Sequence, residues 1–230
     1  MLIEMWTDYA CPFCYIGKRR LEEAIKQVDH KIEVVYRCFE LDPTAERDIS
    51  DSIYEKLAKK YGMSLEQAKL NCNNMEEMAR ESGLDYQFDT MKLTNTFDAH
   101  RLTMYAKTQG LMNEMAERML HAFFTESKHI GDHSTLIDLA VEIGLNREKV
   151  TNLLNSDEMT DAVRSDEQEA QQLGIQGVPF FLINRKYAIS GAQPVETFIE
   201  AINQINEQDG PFISLNNNRD ATCTDDSCEI

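Results

Sequence analysis

Apolar residues recur with two different periods along the first 43 residues of the chain. Residues 2–7 form a short, apolar-rich run before a turn-like segment, which is typical of a β-strand. After Pro12 the spacing becomes helical, with apolar positions at Ile16, Leu21, Ala24, Ile25 and Val28. A second strand is predicted over residues 32–39, before Asp42-Pro43. This order predicts parallel strands joined by a right-handed crossover.

The pattern changes to helical from about residue 50 to residue 173. Met, Ala, Leu, Glu and Lys dominate there, and glycines punctuate the stretch as they do at helix ends. Strand character returns over residues 179–184 and 187–190, with a hairpin-length connection between them. Residues 196–205 then carry the apolar face of a closing helix.

The strand content is therefore split between the two ends of the chain. This predicts an α/β, thioredoxin-like fold with a helical domain inserted between a βαβ half and a ββα half. We assign residues 1–44 and 174–208 to a discontinuous core, residues 45–173 to the helical insertion, and residues 209–230 to a polar C-terminal tail.

Composition and charge narrow the class of protein. The chain has 230 residues, of which 42% are hydrophobic and 27% charged, as in soluble globular proteins. A net charge of −17 argues against nucleic acid or an anionic membrane as a partner. No secretory leader and no run of about 18 apolar residues is recognised, so we expect a cytoplasmic protein. In that compartment the six cysteines are expected to be thiols, ligands or redox groups.

The sequence Cys11-Pro12-Phe13-Cys14 lies where the first predicted strand gives way to a helix. Proline suits the first helical position, because its missing N–H would have no helical partner there. Cys11 would then lie at the helix N-terminus, where free N–H groups and the helix dipole favour a thiolate. Cys14 falls on the same helical face. We therefore predict that Cys11 attacks a substrate disulfide and that Cys14 resolves the mixed disulfide.

A second cysteine pair, Cys223-x4-Cys228, lies in the polar tail. Together with Cys11 and Cys14 it could form a structural zinc site, but the two pairs are far apart in sequence and the spacing is unusual for zinc. No metal is therefore expected. A four-residue gap allows a disulfide, and one hypothesis is a relay in which the tail pair exchanges with the first pair. The alternative is a tail whose cysteines are incidental.

Several motifs, in order, give the chain a family resemblance. They are Asp8-Tyr9-Ala10-Cys11-Pro12-Phe13-Cys14-Tyr15-Ile16-Gly17, Arg37-x-Phe39-x-Leu41-x-Pro43, Asn95-Thr96-x-x-Ala99-His100-Arg101-Leu102, Gly174-x-x-Gly177-Val178-Pro179-x-Phe181 and Ser190-Gly191-Ala192-Gln193. Over about residues 2–207 the chain resembles the DsbA family, and within it the FrnE-like branch of polyketide-biosynthesis dithiol–disulfide isomerases. Phe13 replaces the tryptophan usual between the two cysteines of that branch.

The resemblance implies a protein dithiol–disulfide oxidoreductase without a cofactor. Its partners would be protein or small-molecule disulfides and a thiol reductant, with glutathione as a candidate co-substrate. Pro179 would be a cis proline that faces the dithiol, and Val178, Pro179 and Phe13 would contact substrate. An ordinary trans proline at a strand start is the alternative. His100 would lie over the groove and contact substrate or tune the thiolate, or else be a packed core residue.

Two other functions remain open. The kappa-class glutathione transferases and the 2-hydroxychromene-2-carboxylate isomerases are relatives of similar fold, and they use a serine at the position of Cys11 to activate glutathione. Cys11 argues against that chemistry in this chain. The second alternative is a redox-sensitive chaperone or adaptor that binds peptides in the same groove.

Overall fold

The computed structural model describes residues 1–208 and, of the tail, only the backbone of residues 223–224 and 227–228. The elements are β1 (Leu2–Thr7), α1 (Pro12–Lys26), β2 (Glu33–Cys38), α2 (Ile53–Tyr61), α3 (Leu65–Glu81), α4 (Phe97–Thr108), α5 (Met112–Phe124), α6 (His133–Glu142), α7 (Arg147–Leu154), α8 (Thr160–Gln172), β3 (Phe180–Ile183), β4 (Tyr187–Ser190), α9 (Val195–Gln208), β5 (Cys223–Thr224) and β6 (Ser227–Cys228). Within the described part of the chain, no helix is long and apolar enough to cross a membrane.

The main sheet has the strand order β2-β1-β3-β4. β1 and β2 are parallel, as the predicted crossover requires, and β3 pairs antiparallel with both β1 and β4. Helices α2 to α8 lie in sequence between the two halves of this sheet. The predicted α/β fold with a helical block between its halves is therefore confirmed.

Register brings two distant segments to one end of the sheet. Trp6, near the end of β1, pairs with Phe180, the first residue of β3. Because β1 and β3 are antiparallel, the chain leaving β1 and the chain entering β3 lie at the same end of the sheet. The segment after Thr7 carries the dithiol, and the segment before Phe180 carries Val178 and Pro179. This pairing positions the site.

Helices cover both faces of the sheet. On one face α1 and α9 enclose a core that includes Ile3, Met5, Phe181 and Phe198. On the other face α8 packs against β2, and the Trp6 indole N–H donates a hydrogen bond to the Asp166 carbonyl of α8 at 3.1 Å. The last helix of the range assigned to the insertion thus covers the sheet directly.

The observed element ends differ slightly from the predicted ones. The strand expected to begin at Pro179 begins at Phe180, because pairing with β1 starts at the Trp6–Phe180 pair. The closing helix is longer than residues 196–205 and runs from Val195 to Gln208. The hairpin connection matches the prediction, since Ile183 pairs with Tyr187.

Candidate active site

The dithiol lies at the start of α1. Cys11 is the N-cap, with extended backbone angles of φ −95 and ψ 110, and Pro12 follows in the first turn. The Cys11 N–H donates to the Asp8 carbonyl and the Cys14 N–H to the Cys11 carbonyl, each at 3.0 Å. Both cysteines are free thiols. Cys11 keeps an exposed fraction of 4%, whereas Cys14 is fully buried and Phe13 is 38% exposed. Of the two cysteines, only Cys11 keeps any exposed surface.

The two thiols differ in their electrostatic surroundings. Burial, together with the adjacent Cys11 sulfur, raises the pKa of the Cys14 thiol well above its usual range. Desolvation and a neighbouring negative charge both disfavour a thiolate. Cys14 therefore holds its proton at neutral pH.

The other two cysteines of the described chain are buried and electrostatically unsuited to attack. Burial raises the pKa of Cys38, at the end of β2, well above its usual range. Burial also raises the pKa of Cys72, on α3, to about 11. Buried thiols of this kind are inert, because the thiolate is the nucleophile.

The proline loop faces Cys11. The Val178–Pro179 peptide bond is cis, so the cis proline expected from the resemblance is confirmed and the trans alternative is wrong. The Cys11 thiol donates a hydrogen bond to the Val178 carbonyl at 3.4 Å. A groove of about 370 Å³ runs beside this contact and is lined by residues 174–180, Ser190 and Gly191. A larger cleft of about 700 Å³ lies between α1, the end of α3 and the start of α9, and neither Cys11 nor Cys14 lines this cleft or the groove.

Gly17 allows α1 to approach the proline loop closely. A Cβ atom at this position would lie 3.0 Å from Pro179 Cγ and 3.2 Å from Phe181 Cζ. Both neighbours are buried, so neither can move away without disturbing the core. A side chain at residue 17 would push the helix that carries the dithiol away from the proline.

We expect Gly17→Ala to lower the free energy of unfolding by about 1–3 kcal/mol, the usual cost of overpacking a core. Urea unfolding measures this. Gly177→Ala is the matched control, because a Cβ there would meet no atom within 4 Å and its change should stay within about 0.5 kcal/mol. Equal losses in both variants would show that the approach of α1 to Pro179 does not limit stability.

Asp8 ties three segments together beneath the dithiol. Its Oδ1 accepts hydrogen bonds from the Ala10 N–H at 3.1 Å and the Thr96 hydroxyl at 2.8 Å, and its Oδ2 accepts one from the Leu41 N–H at 2.7 Å. The bond to Ala10, two residues on, is the turn-capping contact of an aspartate. Asp8 thus joins the dithiol loop to the exit of β2 and the start of α4.

His100 lies next to this carboxylate in the interior. Its Nε2 is 3.6 Å from Asp8 Oδ1, its ring is 4.8 Å from the Tyr9 ring, and its exposed fraction is 1%. Burial alone would raise the pKa of Asp8, but His100 and the N–H groups of Leu41 and Ala10 outweigh it and lower that pKa. The buried position fits the packed alternative for His100.

No role was assigned from the sequence to two residues near the site, Gly17 and Tyr86. Gly17 could have been noticed, since a glycine inside a helix costs stability and needs a packing reason. Tyr86 donates a hydrogen bond from its hydroxyl to the Pro12 carbonyl at 2.6 Å. It lies 74 positions from Pro12, and no local pattern links the two.

The tail pair lies outside the described residues, apart from its backbone. Cys223 and Cys228 are direct partners across the antiparallel β5–β6 pair. The proposed exchange with Cys11 and Cys14 remains a prediction.

A strand-to-helix dithiol that faces a cis proline on a four-stranded sheet defines a thioredoxin-like protein. The family model described as a DSBA-like thioredoxin domain matches residues 2–203. The chain belongs to this family, as the sequence motifs predicted.

Three comparisons show which proteins this chain is similar to in sequence or in fold. A probable DsbA oxidoreductase from Streptomyces coelicolor superposes with a TM-score of 0.90 at 38% identity, over 100% of this chain and 99% of the other. The uncharacterized protein YwbO of Bacillus subtilis is 31% identical over 202 residues, 87% of this chain and 94% of the relative. A 2-hydroxychromene-2-carboxylate isomerase shares the fold, with a TM-score of 0.72 at 15% identity over 91% of this chain and 98% of the other.

Proposed function

We propose that this DsbA-family protein is a thiol–disulfide oxidoreductase that exchanges disulfides through Cys11 and Cys14. The observation that supports this most is the contact between the Cys11 thiol and the Val178 carbonyl beside cis-Pro179. A disulfide bound along the proline loop would present its sulfur to Cys11. The N-cap position favours the thiolate that attack requires.

The proposed reaction transfers two electrons in two exchange steps. The Cys11 thiolate attacks one sulfur of a substrate disulfide, forming a mixed disulfide and releasing the other sulfur as a thiolate. Cys14 then loses its proton to that leaving thiolate and attacks the Cys11 sulfur, which releases the second substrate sulfur as a thiolate that takes a proton from water. The protein is left with a Cys11–Cys14 disulfide and the substrate is reduced. If a substrate thiolate attacks the mixed disulfide instead, the outcome is isomerisation.

A thiol reductant would return the protein to its dithiol form. We propose glutathione for this step, because two molecules restore both thiols and leave as glutathione disulfide. No metal or organic cofactor is needed for this cycle. The four described cysteines are free thiols, which suits the reducing cytoplasm that we propose as its compartment. Membership of the FrnE-like branch is part of the same proposal.

Glutathione-dependent reduction of insulin disulfides tests the proposal. We expect the wild-type protein to accelerate reduction well above glutathione alone, and the Cys11→Ser, Cys14→Ser double variant to give only the uncatalysed rate. The same two proteins are assayed for isomerisation of 2-hydroxychromene-2-carboxylate. Isomerase turnover that survives in the double variant would replace the dithiol proposal by the glutathione-dependent isomerase.

A peptide-binding chaperone would behave differently in a third assay. The Cys11→Ala, Cys14→Ala variant keeps the groove beside Pro179 but has no redox chemistry. Full suppression of aggregation by this variant, without insulin reduction by the wild type, would favour the chaperone. We expect the wild type to reduce insulin and the variant not to suppress aggregation.

The tail pair adds a relay to the proposal. Cross-strand pairing of Cys223 with Cys228 brings the two positions close enough for a disulfide. A tethered pair would exchange with the first dithiol at high effective concentration. The full-length Cys223→Ser, Cys228→Ser variant should then turn over insulin more slowly and titrate at a different reduction potential. If this variant and the wild type have the same turnover and the same reduction potential, the relay hypothesis is wrong.

A further inference from the structure

Tyr86 reaches the dithiol turn from the helical block between the two halves of the sheet. It lies in the loop between α3 and α4, with 4% of its surface exposed. Its ring is held by Phe124 at 4.6 Å and Phe88 at 5.6 Å between ring centroids. Aromatic packing of this kind fixes the ring and with it the direction of the hydroxyl.

The hydroxyl is a permanent donor at this position. Burial raises the pKa of Tyr86 well above its usual range, and the sulfurs of Cys11 and Cys14 add to the rise. The phenol therefore stays protonated and donates to the Pro12 carbonyl at 2.6 Å.

The Pro12 carbonyl and the Phe13 N–H belong to one peptide group. A hydrogen bond accepted by the carbonyl polarises that group and makes its N–H a stronger donor. At a helix start, the side chain of the N-cap accepts from the N–H of the second or third helical residue. The third N–H, that of Cys14, is already bonded to the Cys11 carbonyl. The Phe13 N–H is thus a backbone donor available to the Cys11 sulfur, in addition to the Cys14 thiol.

Ionisation changes which bond the Cys11 sulfur makes. As a thiol it donates to the Val178 carbonyl. A thiolate has no hydrogen to donate, so that bond is lost and the sulfur can only accept. In the thiol form the Cys11 side chain makes no cap hydrogen bond. The Phe13 N–H would donate to the thiolate, and the strength of that hydrogen bond would depend on the bond from Tyr86 to the Pro12 carbonyl.

We propose that Tyr86 is a positioning residue that favours the Cys11 thiolate by hydrogen bonding to the Pro12–Phe13 peptide group. It touches neither substrate nor the reacting sulfurs in this role. The inference builds on the proposed function, because it makes the inserted helical block a determinant of the nucleophile's reactivity. Strengthening one charge-assisted hydrogen bond by about 10–30% corresponds to an effect of about twofold to threefold on the thiolate fraction.

Tyr86→Phe removes the hydroxyl and keeps the ring. The rate at which iodoacetamide alkylates Cys11 is measured against pH, with the modified residue identified by peptide mass spectrometry. We expect the profile to move to higher pH, so that the rate on its rising limb falls about twofold to threefold while the plateau is unchanged. A merely structural defect would change the plateau and leave the position of the profile where it is.

Tyr54→Phe is the matched control. The Tyr54 hydroxyl donates to Asp89 at 2.7 Å, at the surface of the same helical block, and not to the dithiol turn. We expect its profile to coincide with that of the wild type. An unshifted profile for Tyr86→Phe, or an equal shift for Tyr54→Phe, would overturn the inference. Alkylation needs no substrate disulfide, so this outcome is independent of whether insulin is reduced.

Discussion

Replacing Cys11 by serine is expected to lower the rate of insulin disulfide reduction by about three orders of magnitude or more. A serine hydroxyl does not ionise at neutral pH and cannot form a disulfide, so both the attack and the mixed intermediate are lost. Cys14 cannot take over, because it is fully buried and burial raises the pKa of its thiol. The initial rate with glutathione as reductant, compared with the rate without protein, measures the loss.

Cys72→Ser is the control for this variant. It makes the same chemical change in a buried cysteine of α3, whose raised pKa of about 11 keeps it as a thiol. We expect its rate to stay within about twofold of the wild type, since an inert buried thiol takes no part in exchange. A Cys11→Ser protein that keeps more than about one tenth of the wild-type rate would contradict the assignment of Cys11 as the nucleophile.

The second large effect is expected on stability, from Asp8→Ala. The substitution leaves three donors without this acceptor: the buried hydroxyl of Thr96 and the part-buried N–H groups of Ala10 and Leu41. An unsatisfied buried donor costs about 1–3 kcal/mol, partly offset because the variant no longer buries a carboxylate. We therefore expect a net loss of about 2–4 kcal/mol at neutral pH in urea unfolding. Asp138→Ala, which removes an exposed carboxylate paired with Arg147, should change stability by less than about 0.5 kcal/mol.

As the pH is lowered, the free energy of unfolding should fall more steeply for the wild type than for Asp8→Ala. The pKa of Asp8 is lowered in the folded protein, so the folded state binds this proton less tightly than the unfolded state. The stabilisation from the carboxylate is therefore complete above its unfolded pKa of about 3.9 and is lost as the pH falls below that value through the folded pKa. Below about pH 4 the wild type should lose stability more steeply than Asp8→Ala. If the free energy of unfolding falls equally in the two proteins, protonation of Asp8 does not cause the loss of stability in acid.

The sequence alone predicted the parts of this protein that depend on local pattern. Apolar periodicity located β1 and α1 at their observed positions, and Pro12 marked the start of the helix. The cis state of Pro179 came from the family resemblance, because local preference favours trans. These features are encoded by neighbouring residues or by motifs in a fixed order.

The unpredicted features depend on contacts between residues that are distant in sequence. The pairing of Trp6 with Phe180 is set when the two ends of the chain join one sheet. Similarly, no local pattern connects Tyr86 with Pro12. His100 has a helical pattern around it, but only tertiary packing decides whether its ring faces a groove or the interior.

Trapping the mixed disulfide tests the central claim most directly. In the Cys14→Ala, Cys223→Ser, Cys228→Ser variant the resolving thiol and both tail thiols are absent, so an attack by Cys11 on a substrate disulfide stops at the first step. Incubation with oxidised glutathione and peptide mass spectrometry should then show one glutathione per chain, on Cys11, released by a reductant. No adduct on Cys11, or an adduct only on Cys38 or Cys72, would contradict the account.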